Sequence, residues 1–146
     1  MTRYSETIEI NAPPSEVFNL IRRVEEFSRY STLITSVVKT GEMGYRWKAR
    51  FSGIRLEWDA VVTENYPPWR FAWQSVKGFQ NAGSYTLTPS EKGSRVCFEM
   101  EYNFKSSLVE KTLSSLSDRY VKKLSQEILA EIKKRLEGNE NPTYPL

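Results

Sequence analysis

The sequence has 146 residues, 39% hydrophobic and 27% charged, which is the composition of a soluble globular chain and not of a disordered or membrane-spanning one. A chain of this length suits one domain, which can bury enough surface to fold without disulfides or a metal ion. Its 21 basic and 18 acidic residues give a net charge of +3, too even a balance to predict a nucleic-acid partner.

The residue types that the chain lacks exclude several kinds of chemistry. It contains no histidine and one cysteine, Cys97, which excludes histidine-based catalysis, His-containing metal sites and an intrachain disulfide. We therefore expect neither a metal nor a cofactor. No signal-peptide pattern and no segment of transmembrane length is present, so we expect a cytoplasmic protein without stable membrane insertion.

The first predicted elements are a strand and two short helices. Residues 6–11 alternate between polar and apolar side chains, which predicts a strand. A breaker follows at residues 12–15, where Pro14 suits the first turn of a helix. That helix ends near residue 23, and a second short helix is predicted over residues 24–30.

Residues 34–104 carry the pattern of consecutive strands joined by short turns, which predicts an antiparallel meander with one face in water. The clearest hairpin joins residues 45–51 to 54–60 through a two-residue turn, Ser52-Gly53. Later strands are predicted over residues 71–75, 83–88 and 95–104, with a loop at residues 78–81.

The hairpin has a specific predicted register. With a two-residue turn, Trp47 lies opposite Trp58 on the apolar face, and Arg46 lies opposite Asp59 on the polar face. A bulge at Gly53 would shift this pairing.

The last predicted element is a long helix over about residues 106–138. Apolar residues recur every three or four positions from Val109 to Leu136, and Gly138 is a natural C-terminal end. The serine-rich run at 114–117 permits either a bend or a helix restart at Asp118. We expect one domain over residues 1–138 and a flexible tail over 139–146.

The apolar face of such a sheet must pack on the long helix, and here that face is rich in aromatic rings. Rings of this size would hold a curved sheet and its helix apart and leave a concave gap suited to a small molecule. Alternatively, the rings simply fill a core, and periodicity alone does not decide. The residues predicted to bind a ligand are Trp47, Trp58, Phe71, Trp73, Tyr85, Phe98, Met100, Tyr102, Leu116 and Tyr120.

The order of the elements resembles the helix-grip fold of the START-like superfamily, also called SRPBCC. Similarity to its polyketide cyclase/dehydrase branch is carried by Trp58-Asp59-Ala60-Val61-Val62-Thr63-Glu64, Pro67-Pro68, Arg70-Phe71-Ala72-Trp73-Gln74-Ser75, Gly78 and Asn81-Ala82-Gly83. The segments Ala12-Pro13-Pro14-Ser15-Glu16-Val17-Phe18 and Val24-Glu25-Glu26-Phe27 are similar to coenzyme Q-binding chaperones of that superfamily.

The resemblance covers about residues 6–138. It implies an α+β fold in which a strongly curved antiparallel sheet of about seven strands grips the long helix. It also implies a cavity between the two that takes lipids, quinones, polyketides or sterol-like molecules.

Several motif residues have two interpretations. Glu57 and Asp59 are either catalytic carboxylates or, as the strand alternation favours, part of a charge ladder on the wet face. Phe79, Asn81 and Gly83 are predicted to shape a loop at the cavity mouth, with Phe79 a candidate gate.

Three classes of function stay open. The first, favoured by an inner face without acids or bases, is binding or transport of a hydrophobic small molecule. The second is a polyketide cyclase, aromatase or dehydratase, whose only inward candidates are Tyr45, Tyr85, Tyr102 and Tyr120, and an unassisted phenol is a poor base at neutral pH. The third is a protein-interaction role. Whether the chain forms a homodimer also stays open.

Overall fold

The computed structural model of the protein describes the backbone of residues 2–103 and 107–138, and the side chains of residues 2–103 and 118–138. Its elements in chain order are β1 (Thr2–Ile10), α1 (Pro14–Ile21), a 3-10 turn (Val24–Glu26), α2 (Phe27–Tyr30), β2 (Ile34–Lys39), β3 (Gly44–Phe51), β4 (Ile54–Tyr66), β5 (Arg70–Gly78), β6 (Gln80–Ser90), β7 (Gly93–Asn103) and α3 (Ser107–Glu137).

The seven strands form one antiparallel sheet in the order β1-β7-β6-β5-β4-β3-β2. Strands β2 to β7 follow one another as a meander, and β1 pairs with β7 to complete the sheet. The sheet is curved, and its β4–β5 ladder shifts register between Asp59 and Ala60 and again between Val62 and Glu64, irregularities of the kind that bend a strand. This architecture confirms the predicted α+β fold.

The β3–β4 hairpin has the predicted register. Trp47 pairs with Trp58 and Arg46 with Asp59. Both turn residues have positive φ, 51° at Ser52 and 79° at Gly53, as a two-residue type I′ turn requires. No bulge interrupts the hairpin at Gly53, so the alternation seen in the sequence sets which side chains face inward.

The predicted loop at residues 78–81 is wrong, because β5 and β6 extend through it and leave only Phe79 between them. Gly78 permits this tight connection with a φ of +84°, and a Cβ there would lie 2.2 Å from the carbonyl oxygen of Glu57. The backbone N–H of Phe79 then donates to that same oxygen at 3.1 Å. Glycine is therefore needed where β5 closes on β4.

The core lies between the inner face of the sheet and the apolar stripe of α3. Among the described side chains of α3, residues 118–137, the buried ones are Tyr120, Val121, Leu124, Ser125, Ile128, Leu129 and Ile132. From β7, alternate residues Val96, Phe98, Met100 and Tyr102 are buried, as predicted. The backbone of α3 is helical throughout residues 114–118, so the helix does not restart at Asp118. Phe104 and the predicted tail, residues 139–146, lie outside the described residues.

Several basic residues on α3 pair with acidic residues along the helix or with the sheet. Lys133 Nζ lies 2.8 Å from Glu137 Oε2, and Arg135 Nε lies 2.9 Å from Glu131 Oε2. Lys133 also donates to the backbone oxygen of Glu9. Across the part of the chain that the structure describes, no helix combines the length and apolar character that crossing a membrane requires.

Candidate functional site

A cavity of about 40 Å³ lies between the sheet and α3. Its lining comes from five strands and all three helical segments after α1: Val24, Phe27, Tyr45, Trp47, Trp58, Ala60, Val61, Val62, Phe71, Trp73, Asn81, Tyr85, Phe98, Met100, Leu124 and Ile128. Among the described residues, no carboxylate, amine or guanidinium contributes to this lining. The space has room for about three water molecules, against roughly 300–1,000 Å³ for a typical small-molecule site.

Most of the predicted ligand-binding residues meet in this cavity. The lining includes Trp47, Trp58, Phe71, Trp73, Tyr85, Phe98 and Met100. Tyr102 and Tyr120 share the inner face but are not part of the lining. The Tyr102 hydroxyl donates to Asp118 Oδ1 at 2.6 Å, and the Tyr120 ring packs on Phe51 with centroids 5.4 Å apart. The side chain of Leu116 lies outside the described residues.

Other lining residues were not predicted as part of the site. Val24 and Phe27 come from the 3-10 turn and α2, whose signal in the sequence is only a short apolar pattern. Phe27 packs edge-on against Trp47, with ring centroids 5.6 Å apart. Leu124 and Ile128 belong to the α3 stripe, whose periodicity identified their buried face but not their place beside the cavity.

The aromatic lining forms two stacked pairs. Trp47 stacks on Trp58 with centroids 5.7 Å apart and an interplanar angle of 7°. Trp73 stacks on Phe98 at 6.1 Å and 27°, and Tyr85 packs against both of these rings, at 5.7 Å from Trp73 and 5.2 Å from Phe98. Offset pairs of this kind add about 0.5–1.5 kcal/mol each beyond their burial, so the rings fix one another in place.

The motif residues Asn81 and Gly83 lie within β6 and not in a loop, and both position the indole of Trp73. Trp73 Nε1 donates to Asn81 Oδ1 at 2.9 Å, and Asn81 Nδ2 donates to the backbone oxygen of Phe79 at 3.0 Å. Gly83 pairs with Trp73 across the strands, and a Cβ on Gly83 would lie 2.4 Å from Trp73 Cζ2. This position therefore requires glycine, because the Trp73 indole lies across β6 at Gly83.

Phe79 is buried, and its ring packs edge-on against Trp58 with centroids 5.4 Å apart. It is outside the cavity lining. Its backbone is held at both ends, by the hydrogen bond to β4 and by Asn81. Phe79 therefore lies in a packed connection between β5 and β6. The prediction of a loop at the cavity mouth is wrong.

The family model described as "Polyketide cyclase / dehydrase and lipid transport" matches residues 1–137. The chain belongs to this family. A relative from Streptomyces lincolnensis, described as an uncharacterized 17.2 kDa protein in the melC2-rnhH intergenic region, is 26% identical over 139 residues, which cover 94% of this chain and 91% of the relative.

Solved structures of the same fold cover nearly the whole chain. TTHA0849 from Thermus thermophilus is 20% identical with a TM-score of 0.79, covering 96% of this chain and 100% of its own. A START superfamily protein from Mycobacterium smegmatis is 11% identical at 0.76, covering 94% and 98%. The Zhui aromatase/cyclase from Streptomyces sp. R1128 is 10% identical at 0.77, covering 99% of both chains. At these identities the similarity is one of fold.

For a member of the polyketide cyclase/dehydrase family, the ionisable groups near the cavity are few. Tyr45 and Tyr85 line it. Burial raises the pKa of Tyr85 far above its usual value, and burial likewise raises the pKa of Tyr120. Burial and the hydrogen bond to Asp118 raise the pKa of Tyr102. These three phenols are therefore protonated at neutral pH, where they can donate hydrogen bonds but do not act as bases.

The two candidate catalytic carboxylates, Glu57 and Asp59, lie on the other face of the sheet. Glu57 is exposed, and Asp59 accepts a hydrogen bond from Arg46 Nε at 2.8 Å. That hydrogen bond holds the pKa of Asp59 below its usual value. Asp59 therefore lies in an ion pair on the outer face of the sheet, and neither Glu57 nor Asp59 is part of the cavity lining.

One buried polar group on a cavity-lining residue has no hydrogen-bond partner. The indole N–H of Trp58, a residue that is 4% exposed, finds no acceptor among the described residues. An unpaired buried donor of this kind costs about 1–3 kcal/mol. A molecule in the cavity that brings an acceptor within reach of this N–H would recover that free energy.

Proposed function

We propose that the protein binds and carries a hydrophobic small molecule between the sheet and α3 without transforming it. The observation that supports this most directly is the lining, which is aromatic and aliphatic and, within the described residues, has no group that is charged at neutral pH. General acid–base chemistry on a bound substrate would need a positioned acid or base with a matched pKa.

The small volume of the cavity is consistent with a site that opens for its ligand. An empty cavity of about 300 Å³ would cost roughly 7 kcal/mol at ~24 cal/mol per Å³, which is comparable with the whole stability of a domain. The unliganded chain is therefore more stable when its aromatic rings close over this space. Among the described lining residues, Tyr45, Trp47, Val61, Val62 and Trp73 are only partly buried, so we expect the cavity to open on the side where they lie.

The unpaired N–H of Trp58 favours a ligand that carries an acceptor. A pure hydrocarbon would leave this donor without a partner, whereas a carbonyl or ether oxygen would satisfy it. Quinones and polyketide-like molecules have such oxygens beside an apolar body, so they suit the lining better than an alkane chain alone.

Native mass spectrometry of the protein, purified gently from its own host, tests this function. We expect a stoichiometric adduct above the 17.0 kDa chain, from which organic extraction releases a hydrophobic compound. A clean chain mass from cells that make such compounds would contradict the proposal.

Two matched variants connect the adduct to the cavity. Ala60 and Ala49 are both 3% exposed, but only Ala60 lines the cavity. We expect Ala60→Leu to lose the adduct and Ala49→Leu, which overpacks the core elsewhere, to keep it. Thermal unfolding of each variant reports whether it is folded. Equal loss in two folded variants would contradict a site at the cavity.

A cyclase or dehydratase activity is the second candidate, favoured by the family and by the place of Tyr85 in the lining. The protonated Tyr85 hydroxyl could polarise a carbonyl, although the described lining offers no base beside it. Incubating the extracted compound with wild-type protein and with Tyr85→Phe separates the candidates. An unchanged compound supports the carrier, and conversion by the wild type alone would support the enzyme.

A further inference from the structure

A surface groove of about 310 Å³ adjoins the cavity. Tyr45, Val62 and Phe71 line both spaces, so these three side chains form the partition between them. The groove thus lies against part of the wall through which we expect the cavity to open.

Apart from Met43 of the β2–β3 turn, the remaining wall of the groove is polar and basic. It consists of Asn19 in α1, Arg22 and Arg23 directly after α1, and Asn65 in β4. No carboxylate is part of this wall within the described residues. The two positive charges of the groove therefore lie beside the apolar cavity, and the side chains of Tyr45, Val62 and Phe71 separate them from it.

Both arginines have donors to spare. Arg22 Nε donates to Asn19 Oδ1 at 3.1 Å, which orients the guanidinium and leaves its terminal N–H groups available. The ion pairs found among the described residues involve neither Arg22 nor Arg23, whereas nearby Arg29 and Arg70 pair with Glu26 and Glu64.

A simpler role for Arg22 is to complement the negative end of the α1 dipole, since it follows the last helical residue. That role would affect stability alone. It does not explain why Arg23 also lines the groove, or why the groove shares its inner wall with the cavity. The two roles are separable by experiment, because only a ligand subsite affects the choice between charged and neutral ligands.

We propose that the groove binds the anionic end of an amphiphilic ligand, a carboxylate or phosphate, while its apolar body occupies the cavity. This proposal rests on the proposed binding function. Fork-shaped guanidinium groups suit both oxyanions, and Asn19 and Asn65 offer further hydrogen bonds. The ligand class is then an acidic amphiphile, such as a polyketide-like acid whose body also carries oxygen acceptors.

The test compares decanoate with decanol, which have the same chain length and differ in charge, by quenching of tryptophan fluorescence. Trp47, Trp58 and Trp73 line the cavity and report on its occupation, while Trp69 is 48% exposed and outside it. Acetate, which lacks the apolar body, is the third probe. We expect the wild type to bind decanoate more tightly than decanol and to show no response to acetate.

The variant Arg22→Gln/Arg23→Gln should weaken decanoate binding about three- to tenfold, the scale of two exposed charge pairs, and leave decanol unchanged. The matched control is Arg50→Gln/Arg55→Gln, which removes the same charge from the outer face of the β3–β4 hairpin. We expect this control to bind both probes as the wild type does.

Each other outcome overturns a specific statement. Equal binding of decanoate and decanol by the wild type would overturn the anionic subsite and leave the cavity function standing. An equal loss in the control variant would assign the effect to overall charge and not to the groove. An acetate response lost with Arg22 and Arg23 would mean a site for small anions alone. If neither ten-carbon probe binds, the cavity function fails and the subsite with it.

Discussion

Replacing Gly83 with alanine tests whether the position of the Trp73 indole requires a glycine at residue 83. A Cβ at this position would lie 2.4 Å and 2.6 Å from Trp73 Cζ2 and Cη2, and 2.7 Å from the carbonyl oxygen of Glu99. All three separations are shorter than real Cβ contacts. Either the ring leaves its place, and with it the hydrogen bond to Asn81, or the β6–β7 ladder shifts.

The expected destabilisation follows from these contacts. Overpacking costs about 1–3 kcal/mol, and losing the Trp73–Asn81 hydrogen bond adds about 1 kcal/mol. We therefore expect Gly83→Ala to lower the free energy of unfolding by ~2–4 kcal/mol and the Tm by roughly 6–15 °C for a chain of this length. Thermal unfolding followed by circular dichroism measures the change.

The chain offers a matched control at Gly41, where an added Cβ meets nothing within 4 Å. Gly41→Ala should leave the Tm within about 2 °C of the wild type. If Gly83→Ala unfolds at the same temperature as this control, the reasoning about the indole is wrong.

A double-mutant cycle with Trp73→Leu identifies the group that Gly83 makes room for. Leucine lacks the ring atoms that the new Cβ would meet, so Gly83→Ala should cost at least about 1 kcal/mol less in the Trp73→Leu background. The contact with the Glu99 carbonyl remains, and some destabilisation should therefore persist. Strictly additive effects would show that the backbone contact alone excludes a side chain.

Two further predictions concern parts of the fold outside the cavity. Burial would raise the pKa of Glu127, but hydrogen bonds from Ser31 and Thr32 outweigh it and hold the pKa below its ordinary value of 4.5. The ionised Glu127 therefore stabilises the folded state above pH 4.5, and this contribution is lost as the pH falls through the folded-state pKa. We expect Glu127→Gln to make the free energy of unfolding depend less steeply on pH at acid pH. An unchanged slope would contradict this. At the hairpin turn, Asn tolerates the φ of 51° at Ser52 better than serine does, so Ser52→Asn should raise stability by ~0.5 kcal/mol in urea unfolding, whereas Gly53→Ala, at a φ of 79°, should lower it.

The sequence determined local periodicity and therefore which face of each element is buried. Alternation through residues 45–60, with the turn chemistry of Ser52 and Gly53, was sufficient to predict the β3–β4 register and to place Asp59 on the outer face. The three- and four-residue spacing of apolar residues predicted the long α3. These features depend on near neighbours in the chain or across one hairpin, so a short window of sequence contains the information.

Only the tertiary structure decided which inward side chains share the cavity. Tyr85 and Tyr102 both face inward, but one lines the cavity and the other pairs with Asp118, because periodicity specifies a face and not a distance along it. Val24 joins the lining because the turn between α1 and α2 brings it to the sheet. The role of Gly83 depends on its register opposite Trp73, which was missed because residues 78–81 were predicted as a loop. The groove brings together residues far apart in sequence, from the end of α1 to β5, and their separations are set only when the sheet curves and packs on the helices.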